Sequence, residues 1–255
     1  DTAPSALQQK DWFRDSSTSD AIGEQRLNWF KGVDNDVAND PADLRNRDGR
    51  LLGDIVNSDP AFAGNTNLRY DRLPTDGVDN ALGAASYTDY FDMKKKNRRE
   101  MLYVGANDGM LHGFNARVLT GDSIAAGAEV FAYTPTRVMK NIPNLASELY
   151  GKDSRKPHKY MVDGPIYVSD AYVDGKWRNI LVGTLGAGGR GIYVLDVTNP
   201  DSFGEANVLF ELTEDQYPEL GFITGTPIIA PGADKRWKIF IGNGYNSTKD
   251  GSAKA

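Results

Sequence analysis

Hydrophobic and polar positions alternate with a period of two through much of this chain, and glycine and proline punctuate the alternating runs. The densest example is Ile180-Leu-Val-Gly183-Thr-Leu-Gly186-Ala-Gly188-Gly189-Arg-Gly191-Ile-Tyr-Val-Leu-Asp196. Ile180, Leu181 and Val182 precede a loop of small residues. Beyond it, Ile192, Val194 and Asp196 face one way and Tyr193 and Leu195 the other. The same pattern occurs in Met101-Leu-Tyr-Val-Gly105-Ala-Asn-Asp108-Gly109-Met-Leu-His-Gly113-Phe-Asn115 and starts again at Lys238-Ile-Phe-Ile-Gly242. A strand ending in glycine, a polar turn and a returning strand predict a β-hairpin. Gly183, Gly188 and Gly191 are expected to hold the positive φ such a turn needs.

Each hairpin has a strand before it and, in the first two copies, one after it. Pro-led strands are predicted over Asp54–Ala63, from Asp163-Gly164-Pro165, and from Gly225-Thr-Pro227. Proline is tolerated at a strand's first residue, where its missing N–H leaves no gap in the ladder. Outer strands follow at Glu129-Val-Phe131-Ala-Tyr and Val208-Leu-Phe210-Glu-Leu. Four strands per unit, repeated at tens of residues, predict an all-β fold of the β-propeller kind. The expected organisation is an N-terminal, partly helical lead-in over 1–50 and a partial ring of about three blades over 51–255. The blades begin near Asp54, Asp163 and Gly225. Pro60 and Gly105 lie much further apart than Pro165 and Gly183 or Pro227 and Gly242, so the first copy carries an insertion at about 64–99. The lead-in predicts a helix over 21–30, capped by Asp20, stopped by Gly32 and burying Leu27 and Phe30. Two short helical turns are expected between Pro135 and Tyr150.

A partial ring is expected to leave end faces bare. Ile228, Ile229, Ile239 and Ile241 stand at one end, and Ile55, Val56 and Phe62 at the other. The start, Asp1-Thr-Ala-Pro-Ser, has no basic and apolar leader and reads as a mature end or an internal cut.

Gly186-Ala-Gly188-Gly189-Arg-Gly191 fits G-x-G-x-x-G, but a dinucleotide site needs a helix to begin there. The β-branched and aromatic run Ile192-Tyr-Val-Leu follows instead, so the turn reads as structural. Lys and Arg number 29 against 35 Asp and Glu, a net charge of −6, which argues against a nucleic-acid face. No run is long and apolar enough to span a membrane. With no cysteine and two distant histidines, His112 and His158, a transition-metal cluster is not expected. His112 falls within a strand and reads as packed or hydrogen-bonded. Asp108 and Asp163 read as turn residues. The basic run Lys94-Lys-Lys-Asn-Arg98-Arg99 reads as a solvated loop or short helix, with contact to an anionic surface as the alternative. Asp34, Asp36 and Asp40 are the candidate metal ligands; Ala38 and Asn39 break the calcium-loop pattern, so solvated carboxylates are expected. No serine-nucleophile elbow, phosphate loop or zinc-protease motif occurs, and no catalysis is expected.

Four stretches together resemble one family. They are Arg45-Asn-Arg47-Asp-Gly-Arg-Leu-Leu-Gly-Asp54-Ile-Val-Asn-Ser-Asp-Pro60, Tyr103 to Asn115, Leu181 to Tyr193, and Phe240-Ile-Gly-Asn-Gly-Tyr-Asn-Ser247. In this order, over about residues 25–250, they resemble the C-terminal region of the PilY1 type IV pilus proteins. The resemblance implies a quinoprotein-like propeller. It further implies a role in pilus assembly against retraction, adhesion at the pilus tip, and minor pilins or surfaces as partners. The location implied is exported, at the cell surface, pilus tip or outer membrane and periplasm of a Gram-negative bacterium. The family's calcium loop is expected outside this stretch. No Arg-Gly-Asp tripeptide is present, so integrin-type binding is not carried over. A second resemblance, to pyrroloquinoline quinone dehydrogenases, rests on Asn115-Ala-Arg-Val-Leu-Thr120-Gly121 followed by Phe131. Phe131 and Phe210 stand where those enzymes place a tryptophan, and no quinone is expected to bind.

Overall fold

The computed structural model describes Phe13 and residues 20–33, 44–75 and 81–247. Two four-stranded antiparallel sheets and a two-stranded one follow one another along the chain. Blade one orders β1 (Ala61–Ala63), β2 (Met101–Gly105), β3 (Leu111–Asn115) and β4 (Glu129–Tyr133) side by side. Blade two orders β5 (Ile166–Val173), β6 (Lys176–Thr184), β7 (Gly191–Asp196) and β8 (Val208–Thr213) in the same way. β9 (Ile228–Pro231) and β10 (Trp237–Phe240) form the start of a third. Every neighbouring pair is antiparallel and successive in sequence, the meander of a propeller blade. The chain is an all-β partial propeller.

Blade two shows how the alternation is used. Leu181, Tyr193 and Leu195 point toward blade one, where they join Met101, Tyr103 and Leu111 in one core. Ile180, Val182, Ile192 and Val194 point the other way and pack with Ile223 and Ile229. β7 is therefore apolar on both faces because both are covered, and its residues from Gly191 to Leu195 are all buried. The outer strands β4 and β8 have no fully buried residue.

The seam between blades one and two is closed at its outer side by aromatic stacking. Phe131 on β4 lies on Phe203, from the loop before β8, with ring centroids 3.9 Å apart and planes 7° from parallel. Phe210 is set on the opposite face of blade two, opposite Val194, and is 42% exposed.

Several expectations change on contact with the structure. The first Pro-led strand is only Ala61–Ala63, because the backbone of Gly53, Asp54 and Asn57 bonds to other loops rather than to a ladder. Ile229 is buried and Ile239 and Ile241 pack inward on blade two, leaving Ile228 and Phe240, paired across β9 and β10, half exposed on the end face. Ile55, Val56 and Phe62 are exposed, as expected at the other end.

Helix α1 (Asp20–Phe30) ends where expected, with Gly32 at φ 89° just beyond it. Its most buried side chain is Trp29, whose indole N–H donates to the Arg45 carbonyl at 2.7 Å and whose ring is covered by the Arg47 guanidinium. Two short helices, α3 (Thr136–Met139) and α4 (Ile142–Ala146), connect the blades; α2 (Ala84–Met93) lies between β1 and β2.

That insertion is fastened mainly to the blades that follow it. Tyr70, Tyr87, Tyr90, Tyr172, Trp177 and Trp237 form a separate aromatic core at the β5–β6 hairpin end. The Trp177 and Trp237 indoles donate to the carbonyls of Gly83 and Leu82 at 2.9 and 3.3 Å. At its centre the Asp170 carboxylate, fully buried, accepts from Lys95 Nζ at 2.5 Å, Tyr87 at 2.9 Å, Tyr90 at 3.2 Å and Asn179 at 3.0 Å. The basic run is thus not a solvated face. Lys95 is buried, and Arg99 bridges Asp122 of blade one and Asp201 of blade two. Lys94 and Lys96 remain exposed.

Candidate functional site

The hairpin turns 106–110 and 185–190 and the blade-to-blade connectors gather on one face, opposite the insertion. Carboxylates and amides from distant parts of the sequence meet here. Asp108 accepts the N–H of Gly53 at 2.7 Å and of Met110 at 3.1 Å, and Asp163 accepts the Asn57 N–H at 3.1 Å and its amide at 2.7 Å. Asn107 donates to Asp54 at 2.8 Å and accepts the Met161 N–H at 2.9 Å. Asp108 and Asp163 do more than shape their own turns. They fix the 53–58 segment across the seam between blades, a role invisible in local sequence because the partners lie 55 and 106 residues away. The Asp54 carboxyl is held below its usual range: burial pushes it up, and the bonds from Asn107 and His158 outweigh that.

His112 is buried, as its strand position suggested, and charged groups hold both ring nitrogens. Nε2 lies 3.1 Å from Asp108 and Nδ1 2.5 Å from Glu129. Burial alone would lower the imidazole pKa; the hydrogen bonds to the two carboxylates outweigh it and raise it to about 9. A folded-state pKa above the unfolded value of about 6.5 means stabilisation that is complete below pH 6.5 and lost as pH rises through 9. With Glu129 half exposed and screened, the contribution is about 1–3 kcal/mol. Urea midpoints should therefore fall between pH 6 and pH 9.5, and His112→Gln should flatten that slope. Parallel slopes in the two proteins would refute the assignment.

The glycine-rich turn is structural, though not for the reason expected. Gly183, Gly188 and Gly191 do not hold positive φ; Gly186 does, at 54°. The other three are constrained by crowding: a Cβ on Gly183 would strike the Tyr193 ring, on Gly188 the Met161 backbone, and on Gly191 the Leu212 carbonyl at 2.7 Å. A strand, β7, follows the turn, so no helix offers its N–H groups to a pyrophosphate.

Asp34, Asp36 and Asp40 lie outside the described residues. Among the described residues, no group of three or more His, Asp or Glu is placed to hold a metal ion. No described helix is long and apolar enough to cross a membrane.

Comparison with known proteins decides the lineage. The PilY1 beta-propeller domain family matches residues 52–255. This chain belongs to the PilY1 β-propeller family. A Xylella fastidiosa protein named type IV pilus biogenesis factor PilY1 homolog is 39% identical over 228 residues, covering 89% of this chain and 17% of that protein. The Pseudomonas aeruginosa (strain UCBPP-PA14) type IV pilus biogenesis factor PilY1 is 36% identical over 236 residues, covering 92% of this chain and 18% of its own length. The crystal structure of the P. aeruginosa PilY1 C-terminal domain superposes with a TM-score of 0.54 at 31% identity, over 74% of this chain and 32% of that one. The chain thus spans a fifth or less of the PilY1 relatives it matches.

Proposed function

We propose that this chain is a propeller segment of a non-enzymatic type IV pilus biogenesis factor. In this reading the protein is exported to the cell surface, favours pilus extension over retraction, and acts at the pilus tip in attachment. Minor pilins or other tip components and host or abiotic surfaces are its partners. The observation that carries the proposal is the 36% identity to the Pseudomonas aeruginosa factor over 92% of this chain. The use of the loop-face groups supports it: Asp54, Asn107, Asp108 and Asp163 are engaged in holding blades together, which suits a rigid binding scaffold.

Deleting the gene in its host is expected to abolish sheared surface pili and surface attachment. Pili should return when the retraction motor is removed as well. Normal piliation in the deletion strain would refute the pilus role. Saturable dye reduction dependent on pyrroloquinoline quinone would refute the non-enzymatic part.

A further inference from the structure

A cavity of about 430 Å³ opens on the loop face, between the 185–190 turn of blade two and the connector from β4 to β5. Its charge is one-sided. Arg137, on α3, is neutralised by Glu214, whose two oxygens each lie 3.0 Å from Arg137 Nε. Three further cations line the cavity: Lys140, Lys159 and Arg190. Among the described residues, none of the three has a carboxylate oxygen within 4.0 Å, although the Glu214 carboxylate, bonded to Arg137, also feels the Arg190 charge. They come from two connecting elements of a chain whose net charge is −6, so their convergence runs against the overall balance.

Arg190 carries the second observation. Its guanidinium lies over the Phe222 ring, 5.0 Å from the centroid, a contact that restrains it. Its Nε is buried and has no hydrogen-bond partner. A buried donor without an acceptor is costly and uncommon in native proteins. The outer part of this planar guanidinium, beside two ammonium groups in a concave wall, matches an oxyanion in charge and geometry. Concavity strengthens the match by focusing the positive potential.

We infer that this cavity binds an oxyanion, with Arg190 as the orienting fork and Lys140 and Lys159 supplying charge. The ligand is a carboxylate or phosphate group, presented either by an acidic peptide segment or as a free anion. The site is independent of the pilus assignment, since it rests on the geometry of the loop face alone.

The test is isothermal titration of the purified protein at low salt with inorganic phosphate and, separately, with N-acetylated tetraglutamate. Saturable binding of either is expected, weakened at least tenfold by Arg190→Gln and severalfold by Lys159→Gln. Arg155→Gln removes an exposed cation that does not line the cavity and should leave binding unchanged. Tighter binding of phosphate than of peptide assigns the site to a free anion; the reverse assigns it to an acidic segment. Absence of saturable binding to both probes overturns the inference. Equal weakening by Arg155→Gln overturns it too, because the attraction would then be diffuse. Lys159→Gln, at a half-exposed position, keeps the test decisive if Arg190→Gln does not fold.

Discussion

Replacing Asp170 with alanine is expected to destabilise the fold by about 3–5 kcal/mol, enough to consume much of a domain's net stability. The reason lies in what the carboxylate leaves behind. Lys95, whose pKa burial already pushes down, would keep its ammonium in a dry site with its ion partner gone. The Tyr87 and Tyr90 hydroxyls and the Asn179 amide would each lose an acceptor. Lys95→Met should cost less, because three donors remain on Asp170. Combining Lys95→Met with Asp170→Leu should also cost less than Asp170→Ala alone, since no unpaired charge is then buried. Urea denaturation of the four proteins checks the ranking. A double variant less stable than Asp170→Ala would show that the pair stabilises the fold beyond charge compensation.

Gly188→Val should be at least as damaging. The added Cβ would overlap the Met161 carbonyl and stand 2.6 Å from its Cα. Both are backbone atoms in the connector that leads into blade two, and neither can rotate away. Overpacking against fixed backbone typically costs 1–3 kcal/mol, and here the two further methyl groups push the loss to about 4 kcal/mol or more. Gly175→Ala is the contrast: its φ is +75° but nothing lies within 4 Å of the new Cβ, so only the backbone cost of about 1 kcal/mol applies. Thermal melts separate the two effects. A Gly188→Val protein that melts with the parent would show that the connector yields, and the crowding argument would fail.

The blades were legible in the sequence because their rule is local. A period of two, bounded by Pro at one end and Gly at the other, places strands and hairpins without knowledge of the partner. It also assigns Ile192 and Val194 to one face and Tyr193 and Leu195 to the other, which is the division between the two cores. What depended on the partner was not legible. Gly188 is small because of Met161, from a different element. Lys95 and Arg99 read as part of a solvated basic run, yet their acidic partners Asp170 and Asp201 lie 75 and 102 residues further on. Asp108 and Asp163 read as ordinary turn residues for the same reason. The cavity around Arg190 left no signal at all: Lys140, Lys159 and Arg190 belong to no common motif and are neighbours only after the blades have packed.

The insertion between β1 and β2 has a mechanical meaning. Both its ends are rooted in blade one, while its middle is fastened to blade two by Lys95 and the two tyrosines and to β10 by Trp237. It is a stitch through three successive pieces. A pull that parts the blades must also break these bonds. Resistance to such a pull is set by the unfolding rate rather than by equilibrium stability. The smallest piece expected to yield under load is then the stitched set of blades, not the single blade.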